Sequence, residues 1–397
     1  MIPISKAISL ISRETKALSS ERISIENSIG RILAEDIIAD DALPPFHRSQ
    51  MDGYAVVAAD TKATPVTLRI VGESAAGRGW HKSLKKGEAV RIMTGAPVPA
   101  GADAVQKLES AESDSATVTI LASVKDGNFI VRRGAEVGKG KKVIAKGERI
   151  TPENIAVLAA FGYAKVRVAR QPRVAIMSTG SEIVPIRRKP GRDQIRNSNS
   201  VMLEALCRTV GAVPTIIEQV RDDLTALKSQ ISKARKSADI LVITGGVSVG
   251  KYDLTKLALQ ELGAEIFFEK VRLRPGKPAV FARLGKTLIF GLPGNPVSTA
   301  VTFHLFVRMA VALMQASAEP SLSKGHAALS HDTRGAKERD TFLPASLATD
   351  SNGHLVATPL KWIGSSDFIA YARTQGLIFV PAGLAYKGGD IVGIVFL

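Results

Sequence analysis

Asp239-Ile240-Leu241-Val242-Ile243-Thr244-Gly245-Gly246-Val247-Ser248-Val249-Gly250 is the stretch that decides the fold. Its β-branched apolar run is too short for an ordinary helix and shows no polar alternation, so it reads as a strand covered on both faces. The run stops at a glycine loop, and Leu254–Leu262 then reads as a helix ended by Gly263. Glycines let backbone approach a ligand closely, and a following helix N-terminus offers free N–H groups to a phosphate. The loop is not a P-loop, because no Lys-Ser or Lys-Thr follows its last glycine.

Outward from this unit the pattern repeats. Val174–Ser178, Thr215–Val220, Glu265–Val271, Pro278–Arg283 and Thr287–Phe290 read as strands. Ser198–Val210, Leu224–Lys236 (capped by Asp222 or Asp223) and Pro296–Gln315 read as helices. Repeated strand–helix units predict an α/β domain with a parallel sheet, whose ligands sit beyond the strand ends. Two further loops carry the same signature. Ser178-Thr179-Gly180-Ser181-Glu182 follows one strand, and Gly291-Leu292-Pro293-Gly294-Asn295-Pro296-Val297-Ser298 joins another to a helix. Asn295 is a suitable N-cap there and Pro296 suits the first helical turn. Carboxylates at such an edge, Glu182 and Asp253 with Asp222 as a third, suit Mg²⁺ held against a phosphate. Arg272-Leu273-Arg274-Pro275-Gly276-Lys277-Pro278 adds cations able to clamp anionic oxygens, or a merely solvated turn.

The flanks differ. Ile4–Leu18 has the apolar spacing of an amphipathic helix, Arg22–Ile25 reads as a strand, and Ile29–Asp36 as a short helix. From Val66 to Arg149, short β-branched runs alternate with turn residues and predict a small β module. Thr151–Ala169 reads as a return to helix, so the module looks inserted. Beyond Glu319 the patterns are again β-like. The expected division is a linker domain of 1–40 with 136–170, an inserted β domain of 41–135, an α/β domain of 171–318 and a C-terminal β-barrel-like domain of 319–397.

Composition narrows the class. The 397 residues are 45% hydrophobic and 23% charged, which is globular. One cysteine, Cys207, excludes an intramolecular disulfide framework and a cysteine-rich zinc site. Val297–Ala316 is interrupted by His304 and Arg308 and reads as a buried helix; no membrane partner is expected, and the compartment expected is the cytoplasm. The net charge of +16 favours anionic partners, yet 5% aromatic residues leave few stacking platforms for nucleic acid, which is not expected as a partner. Two basic clusters stand out: Arg132, Arg133, Lys139, Lys141, Lys142 and Lys146, then Arg187, Arg188, Lys189, Arg192 and Arg196.

Six motifs occur in a fixed order: Met51-Asp52-Gly53-Tyr54-Ala55, Arg91-Ile92-Met93-Thr94-Gly95-Ala96-Pro97, Ser178-Thr179-Gly180, Gly245-Gly246-Val247-Ser248-Val249-Gly250, Pro275-Gly276-Lys277-Pro278 and Gly291 through Ser298. With them the whole chain resembles the MoeA and gephyrin E-domain family of molybdopterin molybdenumtransferases. The resemblance implies Mg²⁺-dependent insertion of molybdate into adenylated molybdopterin with release of AMP. It implies an elongated homodimer with sites between subunits, and a molybdopterin adenylyltransferase as upstream donor. It gives Asp52, Thr94, Glu182, Asp222, Asp253 and Lys277 catalytic roles, the metal falling to Glu182, Asp222 and Asp253. Substrate contacts fall to Gly245, Gly246, Ser248, Gly250, Arg274, Pro293, Gly294, Asn295, Pro296, Ser298, Arg339 and Ser365. The chain departs from the family pattern at His47-Arg48, at Gly134-Ala135-Glu136, at Arg274, and at Pro344, where a family arginine is replaced and Arg339 or Arg373 would supply the charge. A catalytically weakened relative that binds or carries molybdopterin is the alternative.

Overall fold

The computed structural model describes residues 1–217, 220, 223–246 and 254–397. Six strands form the central sheet: β1 (Arg173–Ser178), β2 (Val213–Ile216), β3 (Ile240–Thr244), β4 (Glu265–Lys270), β5 (Pro278–Leu284) and β6 (Thr287–Leu292). Their order is β2-β1-β3-β6-β5-β4. Side chains alternate between two cores as the pleat requires. Ile176, Ile240 and Val242 enter one core, whereas Ala175, Met177, Leu241 and Ile243 enter the other. A strand buried on both faces has no place for polar alternation, hence the continuous apolar runs.

The sheet is not wholly parallel. β2, β1, β3 and β6 run parallel, but β5 is antiparallel to β6 and to β4. Only Gly285 and Lys286 separate β5 from β6, too few for a parallel crossover and right for a hairpin, with Gly285 at φ +63°. The strand expected at Thr215–Val220 is Val213–Ile216; Val220 bridges Thr179, and 218 and 219 lie outside the described residues.

Pro296–Met314 is one continuous helix of 19 residues with a π turn at Phe303–Val307. It is long and apolar enough to cross a membrane by composition, but 72% of its most apolar 18-residue window is buried within the protein. Val297, Val301, Phe303, Phe306, Val307 and Val311 pack into the first core beside Leu203 and Cys207 of the helix Ser198–Thr209. The N-terminal helix Ile4–Glu14 buries Ala7 and Ile11 in that core, and Arg283 ties its last residue, Glu14, to Glu265 at 2.7 and 2.6 Å.

Two expected helices are corrected. Residues 29–36 are not helical: Gly30 takes φ +75°, and buried Ile32 and Leu33 make bridges to Arg149 and Val168. The helix read over Thr151–Ala169 stops at Ala160, and Lys165–Ala169 is a strand antiparallel to Ser20–Ser24. Val166 and Val168 are buried between exposed Lys165 and Arg167, a period of two that a single helical reading overrode.

The chain divides into two compact units, one of Asp36–Ala145 with Pro152–Ala164 and one of everything else. The smaller unit holds a six-stranded mixed sheet around Tyr54, Val56, Leu68, Ala89, Val118 and Ile120. In the larger unit, Asp340–Thr349, Leu355–Pro359, Lys324–Leu329, Ile391–Phe396 and Gly376–Val380 pair in that order. The last strand then returns to the first, which closes a barrel and removes its edges. Leu273–Arg274 joins this barrel as a short parallel strand on Asp340–Thr341.

Burial pushes the Cys207 thiol up to about 12, with the Glu204 charge adding to it, so the folded chain should resist alkylation. Phe281 is fully buried among Phe267, Phe268 and Phe290 in the same core. Phe281→Ala should cost about 3–5 kcal/mol and speed Cys207 labelling by roughly two to four orders of magnitude if labelling needs opening of this core. An unchanged labelling rate would show that the thiol is reached without it.

Candidate active site

Strands β1, β3 and β6 end at one edge of the sheet, and each continues into a glycine loop. Thr179 N–H donates to Thr244 O at 3.0 Å, and the Thr244 hydroxyl donates to Pro293 O at 3.1 Å. The Thr299 hydroxyl donates to the same Pro293 oxygen at 2.6 Å. Asn199 Nδ2 completes the lattice, donating to Thr244 Oγ1 at 3.1 Å and Gly294 O at 2.7 Å. Gly246 sits at φ +62°, and a Cβ there would lie 2.7 Å from Thr179 Oγ1 and 2.8 Å from Thr255 Oγ1. Only glycine fits this position, both for its backbone angle and for its space.

Arg274-Pro275-Gly276-Lys277 follows β4. Gly276 has φ +112°, and a Cβ would press within 2.6 Å of Thr302 Cγ2 on the long helix. The pairing of Leu273 with Asp340 and Arg274 with Thr341 carries Arg339 to the same place. From the other side, Asn295 Nδ2 donates to Ser365 Oγ at 2.7 Å, and Val297 N–H donates to Ser365 O at 3.0 Å. The result is a cleft of about 730 Å³ where the sheet edge meets the barrel.

Its walls include Glu182, Gly245, Gly246, Arg274, Lys277, Pro293, Gly294, Asn295, Ser298, Arg339 and Ser365, eleven residues singled out in the sequence. Arg274 and Lys277 are exposed and Arg339 is half-buried, and none of the three has a carboxylate partner among the described residues. Asn295 occupies the N-cap position but makes no capping bond; its carboxamide holds Ser365 instead. Asp223 caps the helix Leu224–Ser237, accepting from Ala226 N–H. Pro296 stands in that first turn of the long helix and does not line the cleft, nor does Arg373. Asp222, Ser248, Gly250 and Asp253 lie outside the described residues. Sequence reasoning missed Asn199, Trp362 and Ile363; the run Asn197-Ser198-Asn199-Ser200 after a strand was the signal available for the first. A second cavity of about 520 Å³, walled by Ile4, Ile8, Leu305, Phe342, Phe379 and Ile394 among others, is mainly apolar and less suited to an oxyanion.

Residues 2–162 match the MoeA N-terminal region (domain I and II), 175–313 a probable molybdopterin binding domain, and 326–397 the MoeA C-terminal region (domain IV). The chain belongs to the MoeA family. A molybdopterin molybdenumtransferase of Bacillus subtilis is 35% identical, the match covering 100% of this chain and 94% of that protein. A Staphylococcus aureus protein of the same name is 34% identical over 99% of this chain and 95% of its own length. The crystal structure of a molybdopterin biosynthesis MoeA protein from Pyrococcus horikoshii superposes with a TM-score of 0.87 at 28% identity, covering 100% of both chains.

In this MoeA-family chain, Asp52 and Thr94 belong to the smaller unit and are joined to each other. Thr94 N–H and Oγ1 both donate to Asp52 Oδ1, at 2.7 and 3.0 Å. In the same unit, two departures from the family pattern pair with each other, Arg48 with Glu136 at 3.1 Å. The Thr94 backbone bond first, then its hydroxyl, hold the Asp52 carboxyl below the ordinary 3.8. Because the folded value is depressed, the associated stabilisation is present above the unfolded value and is lost as pH falls through the folded one. Thr94→Val should raise the Asp52 value part of the way towards 3.8 in a carboxyl NMR titration, since the backbone bond survives. An unmoved titration would remove the hydroxyl from this account.

Proposed function

We propose that the cleft inserts molybdate into adenylated molybdopterin with release of AMP, a step of molybdenum cofactor biosynthesis. The observation that carries this reading is a set of three cations without a carboxylate partner among the described residues, Arg274, Lys277 and Arg339, sharing one cleft with Ser365, Asn295 and two glycine loops. Molybdate is a tetrahedral dianion, matched by guanidinium forks, an ammonium and a hydroxyl. The pyrophosphate of the adenylated substrate adds anionic oxygens, and charge grows on AMP as its anhydride bond breaks. Cations gathered in the cleft would stabilise that charge. The relatives' name, molybdopterin molybdenumtransferase, supports the same chemistry.

Among the described residues, no group of three His, Cys, Asp or Glu side chains is placed to hold a metal. Glu182 is the one carboxylate lining the cleft among the described residues. That donor set suits Mg²⁺, which takes one or two carboxylates, keeps waters and completes its octahedron with substrate phosphates. Glu182, with Asp222 and Asp253 as further ligands, is the proposed holder, and Mg²⁺ bound there would neutralise charge on phosphate oxygens. A homodimer with sites completed across subunits, an adenylyltransferase as donor and a cytoplasmic location belong to the same reading, which rests for these on the family resemblance.

Each charge-assisted bond to an anion is worth about 1.5–3 kcal/mol, or roughly ten- to a hundred-fold in affinity. Arg339→Ala should therefore raise the molybdate concentration for half-maximal cofactor formation by that factor, while Arg373→Ala leaves it unchanged. The assay mixes purified protein, adenylated molybdopterin, molybdate and Mg²⁺, and follows AMP. The reverse ranking would reassign the compensating arginine. Wild-type protein that binds the nucleotide but never incorporates metal would establish the carrier alternative.

A further inference from the structure

We propose that the cationic loop 187–196 is an electrostatic capture surface that draws anionic substrate into the neighbouring cleft; this rests on the proposed function above. Arg187, Arg188, Lys189, Arg192 and Arg196 share this loop with a single acid, Asp193. All five cations are exposed, and none has an ion pair among the described residues. Other arginines do carry partners: Arg69 pairs with Glu88, Arg170 with Asp239, and Arg283 with Glu14 and Glu265. Arg187, Arg188, Lys189 and Arg192 have neither an ion pair nor a side-chain hydrogen bond among the described residues, and neighbouring like charges repel, so bonding within the fold does not account for these four.

The loop is also anchored where a capture surface has to be. Ile183–Val184 pairs in parallel with Ile195–Arg196, and Ile195 N–H donates to the Glu182 carbonyl at 2.8 Å. Glu182 itself lines the cleft. Arg196 Nε donates to Ile186 O at 3.1 Å and closes the loop on itself. The charged loop therefore springs from the lip of a cleft that already holds Arg274, Lys277 and Arg339. At low salt its field extends beyond about 10 Å, enough to act on a polyphosphate before contact. Nucleic acid shares phosphate chemistry, but the position of the loop at the cleft favours a small anion that ends inside it.

Steered association is lost with added salt, and a focused field raises on-rates by about ten-fold or more. The test compares wild type with a variant carrying Arg187→Gln, Arg188→Gln, Lys189→Gln and Arg192→Gln; Arg196 is kept because it closes the loop. A second variant with lysine at positions 187, 188 and 192 keeps the charge. The measurement is kcat/KM for AMP release against sodium chloride concentration. The Gln variant should lose about ten-fold at low salt, show a flatter salt dependence and converge with wild type at high salt, with kcat unchanged. The Lys variant should follow wild type.

Equal salt slopes, or a loss of kcat at every salt concentration, would overturn the proposal. A defect seen only when a donor protein delivers the substrate would assign the loop to an acidic protein partner and likewise overturn it. A second readout needs no turnover: the association rate of a fluorescent nucleoside diphosphate with the same proteins. If wild type never releases AMP, the functional reading falls, while a salt-dependent difference in this rate still supports capture.

Discussion

The two-residue parallel pairing of Leu273-Arg274 with Asp340-Thr341 is the constraint on which the cleft depends. Leu273 is fully buried in the sheet core, and Thr341 is fully buried on the barrel. The pairing thus welds two modules that each have their own core. Register then decides the chemistry. With Leu273 opposite Asp340, the residues beside this pair, Arg274 and Arg339, line one cleft although 64 residues of chain separate them. Both guanidinium groups line the same cleft, so an anion entering it meets two positive charges from distant parts of the chain.

A second junction works from the other side. Asn295, at the N-cap of the long helix, gives its carboxamide to Ser365 and leaves the helix start without that cap. A lost cap costs about 1 kcal/mol, offset here by a bond that fixes the Ser365 loop. Behind it, Asn199, Thr244 and Thr299 lock Pro293 and Gly294 in place. The cleft-lining groups therefore rest on strand ends and hydrogen-bonded loops, the rigid support that the proposed site would need.

Much of the sheet was legible because burial on both faces leaves an unmistakable apolar run, as in Ile240–Ile243. The glycine loops were legible for a related reason: Gly246 and Gly276 answer contacts no other residue tolerates. Lys165–Ala169 was misread because only Phe161 to Ala164 lies between it and a genuine helix. The antiparallel pair β5–β6 was written in the two-residue link Gly285-Lys286, and the repeating strand–helix pattern obscured it. The meeting of Arg274 with Arg339 had no local signal at all. Long-range register is set by packing of whole modules; Arg274 was read from its own basic loop, and the resemblance alone named Arg339.

The central claim is that a tetrahedral oxyanion is held between sheet edge and barrel by Arg274, Lys277 and Arg339. Anomalous X-ray scattering at the molybdenum edge, from crystals soaked in molybdate, tests it most directly. The account requires a molybdenum peak within contact reach of Arg274, Lys277, Arg339 and Ser365. Molybdenum bound at saturation elsewhere on the basic surface, with the cleft free of it, would contradict the account.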